Sequence, residues 1–161
     1  MTRRWVVNSS PLIVLAKISK IHLLIQLCGE LVIPMGVVQE INCGVDNDPA
    51  RIWLAEEGVS WIRDIGEVAP VVAAWNLGVG ESEVMSWVYR NSEFEAILDD
   101  RAAKDAAMTL RIPVRGTLGV ILLAKREGIV PAAKPLFEEL VQVGFRVSPE
   151  LLTAALRLVD E

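Results

Sequence analysis

Short apolar runs and helical stripes alternate along this chain from one end to the other. Residues 5–7, Trp-Val-Val, form the first run, and Ser10-Pro11 then supplies a helix N-cap followed by proline at the first helical position. The spacing of Leu12, Leu15 and Ala16 predicts a helix that restarts at His22, and Leu31-Val32-Ile33 predicts a second buried strand ended by Pro34. Residues 37–41 read as a short helix carrying Glu40. A polar, turn-rich interval over 42–49 precedes a helix over 50–57 and a candidate strand over 59–62. Helical spacing returns over 68–75, is broken by Gly78-Val79-Gly80, and resumes over 81–89 with Val84, Met85 and Val88 on one face. Glu81 and Glu83 thus fall in a helical first turn.

Residues 94–98 predict a strand ending at the pair Asp99-Asp100, with a helix over 101–110 behind it. Residues 113–115 form another short strand, which Gly116-Thr117 turns into an apolar helix over 118–127 closed by Gly128. A helix over 135–143 stops at Gly144, residues 145–147 suggest a last edge strand, and Ser148-Pro149-Glu150 opens a terminal helix. Short strands without a polar face, alternating with helices, favour an α/β fold with a parallel sheet flanked by helices over a bundle or a sandwich. There is no internal repeat and no low-complexity linker to divide the chain.

Composition narrows this picture without changing it. At 161 residues the expectation is a single domain over 1–161, large enough to bury a core without a disulfide or a structural metal. Apolar residues at 52% and charged residues at 23% exclude wholesale disorder. No apolar run approaches the roughly 18 residues of a membrane span, and the opening Met-Thr-Arg-Arg enters a strand too soon for a signal peptide. A cytoplasmic protein with no membrane partner is therefore expected. Cys28 and Cys43 lack CxxC spacing and have only His22 to assist them, so neither a zinc site nor a disulfide framework is indicated.

A formal net charge of −5 argues against broad electrostatic adhesion to nucleic acid, which takes clustered Lys and Arg. It leaves room for a nuclease, because a catalytic carboxylate cluster adds negative charge that bound metal ions offset.

In open parallel sheets, sites form beyond the carboxyl ends of strands. That rule selects Asn8 after the first strand and Asp99 after the later one, with Glu40, Glu81 and Glu83 on helices that can point toward the same crevice. Magnesium and manganese take hard oxygen ligands, so such a group can hold one or two ions beside a phosphodiester. Bound ions lower the pKa of a water, orient it for in-line attack and neutralise the leaving oxygen, which requires no histidine base. Each acid also has a structural reading, since carboxylates at helix N-termini stabilise the macrodipole, and Asn8 has that of a turn cap. The tryptophans, Trp5, Trp53, Trp61, Trp75 and Trp87, read as core or dimer-contact residues before they read as stacking platforms for bases. Gly78-Val79-Gly80-Glu81 is too short for a dinucleotide fingerprint, and Lys125-Arg126 near Lys134 reads as a solvated face.

Taken together, these residues resemble the PIN-domain family. Val6-Val7-Asn8-Ser9-Ser10-Pro11-Leu12-Ile13 is similar to the opening of that domain, where an Asp ends the first strand and small hydroxylated residues follow. Glu40 after Val37-Val38 matches the second acid, Gly80-Glu81-Ser82-Glu83 the third, and Leu98-Asp99-Asp100 the fourth. Gly116-Thr117-Leu118-Gly119-Val120 and Gly128-Ile129-Val130-Pro131 resemble an uncharacterised prokaryotic branch of PIN-like proteins, and the likeness spans nearly the whole chain.

The resemblance implies a PIN-like (Rossmann-like) three-layer α/β/α sandwich, cleavage of RNA dependent on Mg2+ or Mn2+, and a homodimer. Many relatives resemble VapC-type toxins of toxin-antitoxin pairs, which a small antitoxin protein holds inactive. The implied catalytic set is Asn8, Glu40, Glu83 and Asp99, with Glu81 and Asp100 as further metal ligands and Ser10 and Thr117 orienting the surrounding shell. Either Glu81 or Glu83 aligns with the third acid. One departure bears on mechanism, because Asn8 stands where the family has Asp: an amide carbonyl ligates a cation but brings no charge. The competing reading is therefore a catalytically degraded PIN-like module that binds RNA or a partner protein. A third, a phosphatase-like enzyme with Asp99 as nucleophile, lacks the paired aspartates that such chemistry uses.

Overall fold

The structure, a computed structural model, describes residues 2–161; Met1, the first residue of the opening read against a signal peptide, lies outside them. Five parallel strands form the sheet: β1 (Arg4–Val7), β2 (Glu30–Pro34), β3 (Ile62–Arg63), β4 (Glu95–Ile97) and β5 (Val114–Arg115), in the order β3-β2-β1-β4-β5. Trp5, Val6 and Val7 are each 0% exposed, and consecutive strand residues point to opposite faces, so helices cover both sides of β1. The result is the α/β layering expected from the alternation of elements.

The first half of the chain supplies α1 (Ser9–Lys17), α2 (His22–Leu27), α3 (Met35–Asn42), α4 (Pro49–Glu56) and the short α5 (Pro70–Ala73). The second supplies α6 (Val79–Arg90), α7 (Arg101–Leu110), α8 (Thr117–Arg126), α9 (Lys134–Gln142) and α10 (Pro149–Arg157). Among the described residues, no helix is long and apolar enough to cross a membrane. One hydrophobic cluster runs from Trp5 to Ala155. The tail is tied to it by Glu161, whose carboxylate accepts the N–H groups of Ala133 (2.7 Å) and Lys134 (3.0 Å) at the start of α9.

Several local expectations are corrected. Ser10 does not cap α1; the cap position belongs to Asn8, and the helix begins at Ser9. Residues 59–62 are not a strand: Gly58–Trp61 is a 3-10 turn stacked under Trp53, with the Trp53 and Trp61 rings 5.9 Å apart, and only Ile62–Arg63 pairs with β2. Gly80 lies inside α6 rather than in a break, because Gly78 takes the cap position and its carbonyl accepts the first helical bond from Ser82 N–H at 2.9 Å. Glu81 alone is then in the first turn, and Glu83 falls in the second.

Residues 145–147 form no strand, and the reason lies in how α9 ends. Gly144 has φ +99°, its N–H bonds Val141 O, and Phe145 N–H bonds Leu140 O at 2.9 Å. This paired helix closure, which glycine permits at positive φ, consumes the backbone donor that an edge strand would have used. The tryptophans divide: Trp5 and Trp53 are buried, Trp61 and Trp87 are half-buried, and Trp75 is exposed. Cys43 is also exposed, whereas burial pushes the Cys28 thiol up to about 12 as it donates to Leu24 O at 2.9 Å.

Candidate functional site

From β1 the chain moves outward through β2 to β3, then returns to the other side of β1 for β4 and β5. The strand order therefore reverses between β1 and β4, which stay parallel, and the carboxyl ends of those neighbours open the crevice where such folds place ligands. Val7 pairs with Ile97 and Asn8 N–H bonds Ile97 O at 2.9 Å, so Asn8 and Asp99 emerge side by side.

Asn8 holds an N-cap position without capping. An N-cap oxygen normally accepts from the second or third helical N–H, and here the third residue is Pro11, which has none. The side chain makes no cap bond, is 1% exposed, and leaves Oδ1 buried with no hydrogen-bond partner. A buried carbonyl oxygen in that state is costly unless a donor or a cation meets it.

The two aspartates after β4 separate in role. Asp100 caps α7, with Oδ2 accepting Ala103 N–H at 2.9 Å. Asp99 instead faces the start of α8, where its oxygens accept Thr117 N–H (2.9 Å) and Thr117 Oγ1 (2.5 Å). Thr117 is fully buried, so this pair of bonds fixes the carboxylate's orientation.

A crevice of about 380 Å³ is lined by Asn8, Ser10, Glu81, Asp99, Asp100 and Arg146, among others. Five of these were predicted from sequence. Ser10 sits exposed on its rim. Glu40 reaches the same region from α3: a Cβ built on Gly80 would collide with Glu40 Oε1 and lie 3.0 Å from Asn8 Oδ1. Gly80 is thus the seat on which both oxygens converge, a role hidden by its reading as a helix breaker. Glu83 is directed elsewhere, with Oε1 accepting Gly36 N–H at 2.9 Å near the start of α3, and it does not line the crevice.

The electrostatics follow from this crowding. Partial desolvation raises the Glu40 carboxyl above its ordinary value of 4.5, Glu81 and Glu83 add repulsion, and the Gly80 N–H acts in the opposite sense. A carboxyl raised in the folded state contributes stability in full below 4.5 and loses it as pH climbs through the raised value. Glu40→Gln keeps an acceptor for Gly80 and removes the charge. In chelator at neutral pH it should melt above the wild type, with the gap closing as pH falls below 4.5; a constant gap would show that the charge is not the cause.

Among the described residues, no three acidic, histidine or cysteine side chains converge tightly enough to enclose a metal ion on their own. The donors are instead distributed: Glu40 and Glu81 on one lip, Asp99 on the other, and the unpartnered Asn8 carbonyl between them. That fits a hard cation keeping several waters, as magnesium does.

Sequence reasoning passed over the cations beside this crevice. Arg101 and Lys104 follow the aspartates at helical i, i+3 spacing, a legible signal, whereas Arg146 enters from the loop before α10 and had none.

A family model described as PIN domain matches residues 4–161. No match was found among curated proteins or among solved structures.

Proposed function

Because the chain belongs to the PIN-domain family, a nuclease family whose members generally use divalent metal ions to act on RNA, we propose that it is an Mg2+- or Mn2+-dependent endoribonuclease. The observation that carries this reading is the buried, unpartnered Oδ1 of Asn8. It lies at the sheet's switch point between Glu40 and Asp99, where a cation would satisfy it.

Asn8, Glu40, Glu81 and Asp99 would hold the ion. Bound there, it would supply an activated water and neutralise charge on the phosphodiester. Thr117 fixes the Asp99 carboxylate by two hydrogen bonds, and Gly80 leaves the space in which Glu40 and Asn8 approach each other. Of the third-acid candidates, Glu81 is assigned to the site because it lines the crevice; Glu83 braces α3 against α6 through Gly36 and acts as a positioning residue. Asp100 holds the start of α7 in place beside them.

Titration with Mn2+ tests the site directly. A ligand at free concentration L that binds only the folded state stabilises it by RT ln(1 + L/Kd), about 2.7 kcal/mol at a hundredfold excess over Kd. The melting temperature should climb through the millimolar range. A flat response, together with no metal-dependent cleavage of a mixed RNA pool, would favour the degraded, non-catalytic module, a reading supported by the neutral Asn8 and by the dispersed carboxylates.

The proposal extends to a VapC-like toxin restrained by a small antitoxin, to a homodimer and to a single domain acting in the cytoplasm. Supporting a protein contact, Val71, Trp75 and Val79 leave apolar surface exposed on the segment leading to Glu81. Sedimentation of the purified chain, alone and with the product of a neighbouring short reading frame, reads out both assemblies.

A further inference from the structure

We propose that single-stranded RNA is held by a cationic groove on the α7 side of Asp99, with Arg101, Lys104 and Arg146 contacting its phosphates. This rests on the nuclease reading for the identity of the strand and deepens it by giving the strand a direction.

The groove, of about 580 Å³, lies between the starts of α7 and α8 and the segment leading into α10. Asp99 and Arg146 line both it and the acidic crevice, so the two form one continuous surface. Lys104 Nζ and Asp99 Oδ1 come within 3.4 and 3.0 Å of the point that a Cβ on Gly116 would occupy, which places the ammonium beside the carboxylate. Asp99 is the single carboxylate residue lining the groove among the described residues.

Arg3, Arg4, Arg51, Arg115 and Lys125 are held in ion pairs. Arg101, Lys104 and Arg146 belong to the larger set that is in none among the described residues, and what distinguishes them is that all three line one groove beside Asp99. Arg101 and Lys104 also occupy the first turn or so of α7, where positive charge opposes the helix macrodipole. They are exposed and free to meet phosphate oxygens. Half-buried Phe145 and Leu118 add an apolar surface on which unpaired bases can lie, which a duplex would not use.

Charge decides the path. A polyanion crossing Asp99 meets Glu40 and Glu81 on one side and the three cations on the other. With a net charge of −5 the chain offers no diffuse attraction, so binding depends on this local cluster.

The test is fluorescence anisotropy with a labelled, mixed-sequence single-stranded RNA, in chelator to prevent cleavage, over a range of salt. The triple variant Arg101→Ala/Lys104→Ala/Arg146→Ala is compared with Arg101→Lys/Lys104→Arg/Arg146→Lys and with wild type. Losing three phosphate contacts should flatten the log Kd against log salt slope by about 2 and weaken low-salt binding at least roughly tenfold. The charge-keeping variant should retain the wild-type slope.

An unchanged slope in the alanine variant, or no wild-type binding at low salt, overturns the proposal. Equal affinity for duplex RNA overturns the single-stranded path, and displacement of RNA by polyglutamate at comparable concentration reassigns the groove to an acidic protein segment. Asp99→Asn run in parallel separates this inference from the one beneath it. Full RNA affinity in the triple variant beside lost cleavage in Asp99→Asn sinks the groove and keeps the nuclease; groove-dependent binding without any metal-dependent cleavage does the reverse.

Discussion

Asp99→Asn is expected to reduce metal-dependent RNA cleavage by at least a hundredfold in kcat/KM while leaving the fold intact. Mutating an outer partner of a metal ligand costs about 10- to 100-fold, and Asp99 is proposed as a direct ligand, so that range is a lower bound. The fold should survive because asparagine has the same shape and can keep both local contacts. Its carbonyl accepts Thr117 N–H, and its amide donates to the Thr117 hydroxyl, which turns from donor to acceptor. Melting curves in chelator should nearly superimpose, which isolates the lost charge as the cause. Cleavage unaffected by this substitution would remove Asp99 from the site and with it the nuclease assignment in its present form.

Asn8→Asp should do the opposite, and its two effects carry opposite signs. The side chain is 1% exposed and its Oδ1 has no partner, so a carboxylate there without metal would be a buried, uncompensated charge close to Glu40. Such a group costs on the order of 3 kcal/mol, which for a chain of this size lowers the melting temperature by roughly 10 °C. Excess Mn2+ should reverse the loss and carry the variant above the wild type, with metal affinity and RNA cleavage both rising. If the variant melts at the same temperature with and without Mn2+, position 8 does not face a cation.

The two substitutions share one physical cause. Without metal, burial first and then the nearby Glu81 and Glu83 charges raise the Glu40 carboxyl, so added charge in the crevice is unwelcome. Removing the crowded Glu40 charge should steady the metal-free protein, and a charge added at position 8 should deepen its dependence on the ion.

Much of this was legible in the sequence because it depends on short-range rules. Strands without a polar face gave away the parallel sheet, and the strand-end rule picked out Asn8 and Asp99, which both line the crevice. Asp100 and Asp99 could not be told apart, since the distinction rests on which N–H each meets: Asp100 that of Ala103 three positions on, Asp99 that of Thr117 eighteen positions on. The choice between Glu81 and Glu83 was likewise invisible. About half a turn of α6 separates the two, which sends Glu83 to Gly36, forty-seven positions away, and leaves Glu81 over the crevice.

Gly80 and Phe145 were misread for a related reason. A glycine pair resembles a helix break until the crowding of Glu40 and Asn8 against Gly80 explains why no side chain belongs there. An apolar Phe-Arg-Val resembles a strand until the closure of α9 claims its first N–H. In both cases the deciding contact is distant or belongs to the preceding element's end, where local pattern carries little weight.

The contrast between the two thiols has a practical side. Cys28, partly buried and pushed up to about 12, holds almost no thiolate at neutral pH, whereas Cys43 stands exposed just past the end of α3, three residues beyond Glu40. A thiol-directed fluorophore therefore has one ready attachment point, on the helix that carries a proposed ligand. The protein contains its own place for an optical reporter, from which occupancy of the crevice can be followed by emission without engineering a new cysteine.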